Sequence, residues 1–359
     1  MKLVYLSPVP WQSISQRPHF FVQQALAQGI SEVLWVEPYP GRLPVWQDLI
    51  PSRHAIEPAG LDALPGLTVI GQRLLPVEPF AVLFNGLNGR KLAVLQRQIN
   101  DFTAGEPAML VIGKPSRLAL RLLAEPNWQE CWFDAMDNYA AFYQGLSRNS
   151  MAQLEQAVVL KVDKLLCSSH ALADKFASHP NIHLYLNATA DYMAQPVSAE
   201  PLSIGSAALC FGYIGTISQW FDWQWVIALA EQFPTATIKL IGPLKVLKPR
   251  DLPANIQLLP AVAHTEVPAL LASFNAGLVP FLVNEITRYV DPVKYYEYAA
   301  AGLPVLSSEF GEMPWHAANS PSVYMAALPK HDDITAFLAK PVTAHEVTWQ
   351  QRFAGLFEC

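Results

Sequence analysis

Lys294 and Glu297 are residues whose types and spacing could do chemistry, because they stand three apart among aromatic and alanine residues. Residues three apart share one face of a helix, so both side chains would act on the same surface. A lysine supplies a positive charge for an anion, and a carboxylate has two acceptor oxygens that suit a pair of hydroxyls. A phosphate beside a vicinal diol describes a nucleotide. The alternative is an exposed ion pair of small energetic value, and the surrounding sequence has to decide between the two.

The segment around this pair has strong helix-boundary signals. Asp291 is a favoured N-cap residue, and Pro292 suits the first helical position, where its missing N–H is not needed. Gly302 is typical of a helix end. We therefore predict a helix over residues 292–301. Its N-terminal half, with free N–H groups and a partial positive charge, is a natural place for an anion.

Composition narrows the class of protein. The chain has 359 residues, of which 52% are hydrophobic and 15% charged, so it can bury a large core and suits two domains. Its net charge is −6 and no block of lysine and arginine occurs, so we do not expect a nucleic-acid partner. The four cysteines are scattered without metal-binding spacing, which predicts no metal site and fits a reducing cytoplasm. We expect no signal peptide, because the N-terminal apolar stretch is short and broken by proline. We expect no membrane helix, because no apolar run reaches the necessary ~18 residues.

Short apolar runs alternate with helical stretches, which is typical of a parallel α/β architecture. We predict strands at residues 3–6, 32–36, 67–70, 109–113, 131–135, 164–169, 183–188, 208–215, 237–242, 255–260, 276–281 and 304–308. Helices fit between them, at residues 18–28, 83–99, 116–123, 151–162, 170–177, 220–233, 266–274 and 292–301.

The alternating pattern breaks once, at residues 190–207, which are rich in proline and small residues and read as a linker. We therefore expect two Rossmann-like domains, at residues 1–195 and 205–330. Residues 331–359 would form C-terminal helices that lie on the surface and are able to cross back to the N-terminal domain.

Several chemistries lack their sequence signature. No GxGxxG follows a strand, no GxxxxGK[ST] occurs, and no GxSxG is present, which argues against dinucleotide oxidoreductases, P-loop enzymes and serine hydrolases. In open α/β sheets, ligands bind beyond the carboxyl ends of the strands. With two such domains, the expected site is a central cleft that both domains face.

Two blocks of the second half resemble the nucleotide-binding domain of GT-B glycosyltransferases of the family 4 (group 1) type. The first is FGYIGTISQWFDWQWVIALAEQFPTATIKLIGP, residues 211–243, and the second, more specific block spans residues 259–308 and ends in DPVKYYEYAAAGLPVLSS. The resemblance implies a GT-B fold with two Rossmann-like domains. It also implies bacterial polysaccharide or glycolipid assembly as the setting.

The resemblance assigns roles around the donor. Gly215 and Thr216 follow the first strand of the C-terminal domain, where a glycine lets backbone N–H groups approach a diphosphate. Gly242 ends the next strand, in a loop near the nucleotide base, and Val262 lies in a loop whose backbone commonly reads the base edge. The alternative for Gly215 is an ordinary strand-to-helix turn. On this reading Lys294 binds the diphosphate and Glu297 accepts hydrogen bonds from the ribose hydroxyls.

The chain departs from the family pattern in two places. Many relatives carry an arginine and a lysine in the helix after the first glycine, but here that stretch reads TISQWFDW. Many also carry a second glutamate eight residues before the ribose-binding one, and that position is Tyr289. Neutralisation of the phosphates would then fall to Lys294, with Arg288 as a helper or simply a surface residue.

The N-terminal domain is expected to hold the acceptor. Arg17 and His19 stand at a helix start in a QRPH sequence that a subset of these enzymes shares. His19 would position the acceptor or a donor phosphate, or would satisfy a helix cap. Asp134 and Asp137 end a strand, and Asp137 is the candidate general base for the acceptor hydroxyl. The alternative gives Asp134 a capping role and Asp137 a place on the surface.

The segment GQRLLPVEPFAVLFNGLNGR, residues 71–90, mixes prolines with aromatic and aliphatic residues. It could line an acceptor pocket, touch a membrane surface, or be an ordinary loop packed on the fold, which is the simplest interpretation.

These observations favour a glycosyltransferase that moves a sugar from a nucleotide-diphospho-sugar to a hydroxyl of a saccharide or lipid-linked acceptor. It would need no metal or other cofactor. It would lie in the cytoplasm, where it could also bind peripherally to the inner face of the cell membrane. Two alternatives stay open: a sugar-nucleotide epimerase on the same fold, and a GT-B-like binding protein that has lost catalysis.

Overall fold

The computed structural model describes residues 1–45, 64–191 and 209–357, which form two compact units. Unit 1 comprises Met1–Tyr185 with Phe353–Cys359, and unit 2 comprises Leu186–Arg352. Most of the linker predicted at residues 190–207 lies outside the described residues. No helix within the described ranges is long and apolar enough to cross a membrane.

Unit 1 is built on a seven-stranded parallel sheet, counted over the described residues, with strand order β3-β2-β1-β4-β5-β6-β7. Its strands are β1 (Lys2–Leu6), β2 (Glu32–Val36), β3 (Leu67–Ile70), β4 (Ala108–Ile112), β5 (Trp128–Ala135), β6 (Lys164–Cys167) and β7 (Ile182–Leu184). Its helices are α1 (Arg17–Ala27), α2 (Ala81–Leu87), α3 (Gly89–Thr103), α4 (Arg117–Leu122), α5 (Gly145–Val159) and α6 (His170–Lys175).

Unit 2 has a six-stranded parallel sheet in its described part, with strand order β10-β9-β8-β11-β12-β13. Its strands are β8 (Cys210–Ile214), β9 (Thr237–Ile241), β10 (Ile256–Leu259), β11 (Ala276–Val279), β12 (Val305–Ser307) and β13 (Val323–Met325). Its helices are α7 (Trp223–Gln232), α8 (Val267–Leu271), α9 (Val293–Ala300), α10 (Met313–Asn319), α11 (His331–Leu338) and α12 (Trp349–Arg352).

The strand order sets where a ligand can bind in each unit. Strands such as β4 are apolar at every position and fully buried, as expected when both faces of a parallel sheet are covered. In unit 1 the order reverses at β1, which pairs with β2 and β4, and in unit 2 it reverses at β8, which pairs with β9 and β11. The loops after these strands are therefore where ligands bind in doubly wound folds.

The structure corrects several sequence predictions. The helix predicted at residues 83–99 is two helices, because Asn88 interrupts it and turns its side-chain amide to both backbone groups of Leu75. Strand β13 and helix α10 were not predicted. The C-terminal stretch is not a surface element, since Ile334, Trp349 and Phe353 are buried.

The C-terminal residues 353–357 are part of the core of unit 1. The ring of Phe353 packs edge-on against Phe21, with ring centroids 5.4 Å apart, and Phe357 packs on Phe21 and Trp132. The Gln28 amide donates to the Phe353 carbonyl at 2.8 Å and accepts from the Phe357 N–H at 3.3 Å. This segment therefore closes an aromatic cluster over helix α1.

Candidate functional site

Two glycines form touching loops at the carboxyl ends of β8 and β9. Gly215 and Gly242 have φ angles of 151° and 141°, which side chains rarely tolerate. The Gly215 N–H donates to the Ile241 carbonyl at 2.8 Å, and a Cβ on Gly242 would lie 2.3 Å from the Gly215 carbonyl oxygen. Both positions therefore need glycine, because Lys294 Nζ and the Gly215 carbonyl fill the space where a Cβ would lie.

The Lys294 ammonium lies against the first of these loops. A Cβ on Gly215 would lie 2.4 Å from Lys294 Nζ, and Nζ is 5.4 Å from the centroid of the Tyr213 ring. Among the described residues, no carboxylate lies within 4 Å of this ammonium. Burial lowers the pKa of Lys294, and the nearby Glu297 carboxylate opposes that shift. A half-buried ammonium without a paired anion is suited to binding a phosphate.

Glu297 is half-buried one helical turn beyond Lys294 on α9. Burial raises the pKa values of the Tyr213 and Tyr298 hydroxyls, and the Glu297 charge raises them further. The Glu297 carboxylate therefore lies near both rings. The Tyr213 hydroxyl donates to the Thr216 carbonyl at 2.9 Å, and the Ile214 N–H donates to the Tyr298 hydroxyl at 3.4 Å. The two tyrosines thus brace the loop after β8 beside the predicted site.

Asp291 does not cap helix α9, contrary to the sequence prediction. Pro292 occupies the N-cap position and the helix begins at Val293. Asp291 is buried, and its carboxylate accepts hydrogen bonds from the Asn187 N–H at 2.6 Å, the Tyr296 hydroxyl at 2.9 Å and His316 Nε2 at 2.8 Å. Asp291 therefore anchors the start of α9, and with it Lys294, to distant parts of unit 2.

The other predicted donor residues are less closely associated. Thr216 is half-buried and its carbonyl is taken by Tyr213, and Val262 is half-buried in the loop after β10. Arg288 is exposed in a short 3₁₀ helix, Thr287–Tyr289, with its guanidinium 5.8 Å from the Tyr289 ring centroid. The structure brings Gly215, Gly242 and Lys294 together, while Arg288, in the described part of the chain, contacts Tyr289 and none of these three.

Arg17 and Asp134 form a buried ion pair in unit 1. The Asp134 carboxylate accepts from Arg17 Nε at 2.9 Å and from the Tyr5 hydroxyl at 3.0 Å, and Arg17 NH2 lies 2.8 Å from the same carboxylate. Arg17 also donates to the Tyr185 carbonyl at 2.6 Å. The pair ties the end of β5 to the start of α1, so direct contact with an acceptor stays a prediction for both residues.

His19 is fully buried, and both of its ring nitrogens have partners. Nδ1 accepts from the Gln16 N–H at 3.1 Å, which completes a capping box, and Nε2 lies 3.0 Å from the Trp11 carbonyl oxygen. Burial lowers its pKa and favours the neutral ring. This geometry matches the capping alternative, and a catalytic role for His19 stays a prediction.

Asp137 has the environment of a base. It is half-buried just after β5, and no described residue pairs with its carboxylate through a hydrogen bond or ion pair. Desolvation raises its pKa to about 7. A carboxyl that is poised near neutral pH and has a free oxygen can accept a proton from an acceptor hydroxyl.

Sequence reasoning missed three residues at the switch point of unit 1: Tyr39, Glu78 and Lys114. Lys114 follows β4, which lies beside β1 at the centre of the sheet. That position directly after a central strand could have identified Lys114 as a candidate site residue. Glu78 had no such signal, because it belongs to the proline-rich segment before α2. The described residues contain no group of three or more His, Cys, Asp or Glu side chains placed to hold a metal ion.

Solved structures resemble the chain over nearly its whole length. Sucrose-phosphate synthase from Thermosynechococcus elongatus superposes with a TM-score of 0.66 at 13% identity, covering 99% of this chain and 95% of the other. Anabaena HepE, crystallised with UDP and glucose, gives a TM-score of 0.62 at 12% identity, covering 94% and 89%. The chain has the GT-B fold. The two parallel sheets described above correspond to the α/β architecture of that fold.

The chain is also similar in sequence to a curated protein. TuaH of Bacillus subtilis, named for a glycosyltransferase role in teichuronic acid biosynthesis, is 26% identical over 203 residues. The match covers 51% of this chain and 51% of TuaH, so the chain spans about half the length of the curated relative it matches. No protein-family model matches the chain.

Proposed function

We propose that the chain is a glycosyltransferase that takes a sugar from a nucleotide-diphospho-sugar and passes it to an acceptor hydroxyl. The observation that carries this proposal is the Lys294 ammonium, which lies against the Gly215 loop without a carboxylate partner among the described residues. A positive charge in that position, at the carboxyl end of a central strand, suits the diphosphate of a donor.

In this proposal Lys294 binds the diphosphate beside the Gly215 loop and stabilises the charge that develops as the diphosphate leaves. Glu297 accepts hydrogen bonds from the ribose hydroxyls, and Gly242 and Val262 lie beside the base. Uracil is the proposed base, since HepE was crystallised with UDP. No metal is required, so EDTA in the assay should leave the rate unchanged.

Asp137 is the proposed general base for the acceptor hydroxyl, because its pKa of about 7 matches the operating range of such a base. Polysaccharide or lipid-linked saccharide is the proposed acceptor class. The similarity to TuaH, a protein named for teichuronic acid biosynthesis, supports a surface polysaccharide as its setting.

A basic and apolar surface of unit 1 supports the further proposal of peripheral binding at the inner face of the cell membrane. The exposed large hydrophobic residues of this surface, which we call the α2–α3 surface, are Leu75, Phe80, Val82, Leu83, Leu87 and Val94. Its exposed charged residues are the basic Arg73, Arg90, Lys91 and Arg97, and the exposed Asp101 lies one turn beyond Arg97 on α3.

The position of these residues suits an anionic bilayer. On α3, Val94 lies three or four positions from Arg90, Lys91 and Arg97, so the four side chains share a face. The single acidic residue between positions 71 and 97, Glu78, is buried. In a chain of net charge −6, such a patch combines apolar burial with attraction to anionic lipid.

The proposal is tested by calorimetry of the protein with UDP, GDP and dTDP, followed by turnover of the matching sugar nucleotides with saccharide acceptors. We expect UDP to bind most tightly and an acceptor to gain a sugar. An epimer of the sugar nucleotide as sole product would contradict the transferase. Nucleotide binding without turnover against any acceptor would favour the inactive binding protein.

A further inference from the structure

A buried polar cluster lies at the start of helix α9, apart from the residues proposed to contact the donor. It consists of Asn187, Asp291, Tyr296 and His316, and we call it the Asp291 cluster. Asp291, Tyr296 and His316 are at most 4% exposed, so they are not ligand contacts themselves. A buried carboxylate is costly unless hydrogen bonds satisfy its oxygens, so the partners of Asp291 hold it in one place.

Asp291 is held through both its side chain and its backbone. Oδ2 accepts from the Asn187 N–H at 2.6 Å and from the Tyr296 hydroxyl at 2.9 Å. The Asn187 side-chain amide donates to the Asp291 carbonyl oxygen at 2.6 Å. Because Tyr296 belongs to α9 itself, the cluster restrains the rotation of this helix about its axis as well as the position of its start.

His316 supplies the contact of this cluster that comes from a different helix, α10. Its Nε2 lies 2.8 Å from Oδ1 of Asp291, and a carboxylate can only accept hydrogen bonds, so Nε2 carries the proton. Its other ring nitrogen, Nδ1, has no hydrogen-bond partner among the described residues. The ring also stacks on Tyr295, with centroids 3.8 Å apart. The hydrogen bond to Asp291 is therefore the polar interaction through which this imidazole acts.

The position of the Lys294 ammonium depends on where α9 begins. Lys294 is the second residue of that helix and stands three positions after Asp291. Its side chain fills the space beside Gly215, where a Cβ would lie 2.4 Å from Nζ and 2.5 Å from Cε. A displacement of about 1 Å in a group that positions a substrate can cost about a hundredfold in rate. A shift of the start of α9 would therefore move Lys294 away from the diphosphate that it is proposed to bind.

We infer that His316 is a positioning residue, whose hydrogen bond to Asp291 fixes the start of α9 and thereby holds the Lys294 ammonium beside Gly215. His316 acts through Asp291 and makes no contact with the donor. The inference rests on the proposed function for what Lys294 binds, whereas the placement of Lys294 can be observed without any ligand. The competing role for His316 is a purely structural one, which would affect stability and leave Lys294 where it is.

The first test observes Lys294 without a ligand, by NMR of protein labelled with carbon-13 at the ε-carbon of lysine. The Lys294 signal is the one that Lys294→Met removes, and it reports on the Tyr213 ring, whose centroid lies 5.4 Å from Nζ. His316→Leu should move this signal, and His316→Gln, which keeps an N–H donor for Asp291, should return it towards the wild-type position. The control His345→Leu, at an exposed histidine of the same unit, should leave it in place. An unmoved Lys294 signal in folded His316→Leu overturns the inference.

The second test measures the affinity for inorganic pyrophosphate by calorimetry. His316→Leu should raise the Kd about fivefold or more, and His316→Gln should stay within about twofold of wild type. In a Lys294→Met background His316→Leu should change the Kd by less than about twofold, because the effect acts through Lys294. A lower urea midpoint with an unchanged Kd, or the same loss of affinity without Lys294, would establish the structural role instead. If His316→Leu fails to fold, His316→Phe decides in its place, because it keeps a ring against Tyr295 and lacks the donor.

The two tests separate this inference from the proposed function. Wild type that binds neither UDP nor pyrophosphate would contradict the proposed function, and a displaced Lys294 signal in His316→Leu would still support the positioning role. Wild type that binds both ligands, with the Lys294 signal and the pyrophosphate Kd unchanged in His316→Leu, would keep the proposed function and remove His316 from it.

Discussion

Lys294 carries its charge into a half-buried position beside Gly215, where the described residues place no carboxylate within 4 Å. Its spacing from Glu297 suggests an ion pair, but the two side chains are not within salt-bridge distance in this structure. Each is therefore free to contact a different part of a donor. The separate roles of Lys294 and Glu297 can be tested by measuring the nucleotide affinity of a variant at each residue.

Lys294→Met should raise the Kd for UDP and for inorganic pyrophosphate alike, by about 10–100-fold, since a charged hydrogen bond contributes about 1.5–3 kcal/mol. Glu297→Ala should raise the Kd for UDP but leave the Kd for pyrophosphate unchanged, because pyrophosphate has no ribose for Glu297 to contact. Calorimetry measures both, with Lys340→Met at an exposed lysine as the control. Equal UDP affinity in Lys294→Met would remove Lys294 from the site.

Asp137 should give the reaction an acid limb with an apparent pKa of about 7 in kcat, as its carboxyl loses its proton. Asp137→Asn should lower kcat by at least a hundredfold, remove that limb and leave the donor Kd unchanged. Turnover measured from pH 5 to 9 checks this. A wild-type rate in the variant would exclude Asp137 as the base.

The same carboxyl predicts a stability effect. Its folded pKa of about 7 lies above the ordinary aspartate value of 3.8, so the folded state keeps the proton to higher pH than the unfolded state does. The free energy of unfolding therefore falls as pH rises through that range. Glu78 titrates near 7 as well, so the difference between wild type and Asp137→Asn isolates Asp137. Urea unfolding at pH 5 and 8 should show the Asn variant gaining relative stability at pH 8.

At the scale of elements, local patterns predicted most strands because continuous apolar runs such as that of β4 are buried on both faces. They also placed Gly215 and Gly242 after neighbouring strands, and Lys294 on α9. They failed where a partner is far along the chain. Asp291 looks like a cap in sequence, yet its partners Asn187 and His316 lie 104 and 25 residues away.

Glu78 and the C-terminal segment were missed for the same physical reason. The burial of a carboxylate, or of Phe353, depends on which distant elements pack over it, and neither residue lies in a periodic pattern that reports this. Short strands such as β13, with three residues, also carry too few positions to show alternation.

Phe353→Ala tests the segment that completes the core of unit 1. Because Phe353 is fully buried against Phe21, we expect a loss of about 3–5 kcal/mol in the free energy of unfolding. Phe142→Ala, at an exposed phenylalanine of the same unit, should change it much less. Urea denaturation followed by tryptophan fluorescence measures both. Equal stability of the two variants would mean that residues 353–357 do not stabilise the unit.

At the scale of the whole molecule, the α2–α3 surface is the feature that reaches beyond the chain. Val82, at 84% exposure, and Leu83 are the residues to change, and the double variant Val82→Asp with Leu83→Asp should reduce binding to phosphatidylglycerol vesicles at least fivefold. Vesicle flotation measures this, and Leu247→Asp, at a leucine 95% exposed in unit 2, is the matched control. Equal flotation with purely phosphatidylcholine vesicles would contradict an anionic bilayer as the partner.

The return of residues 353–357 to unit 1 affects how the chain folds on the ribosome. The strands described for unit 1 are synthesised before unit 2, yet Phe21 and Trp132 lack the rings of Phe353 and Phe357 until residues 353–357 are made. Unit 2 is synthesised as one continuous stretch between the two parts of unit 1, so it can fold before residues 353–357 are made. Unit 1 is therefore completed only after unit 2 has been synthesised, and the faces of Phe21 and Trp132 that Phe353 and Phe357 cover stay uncovered until then.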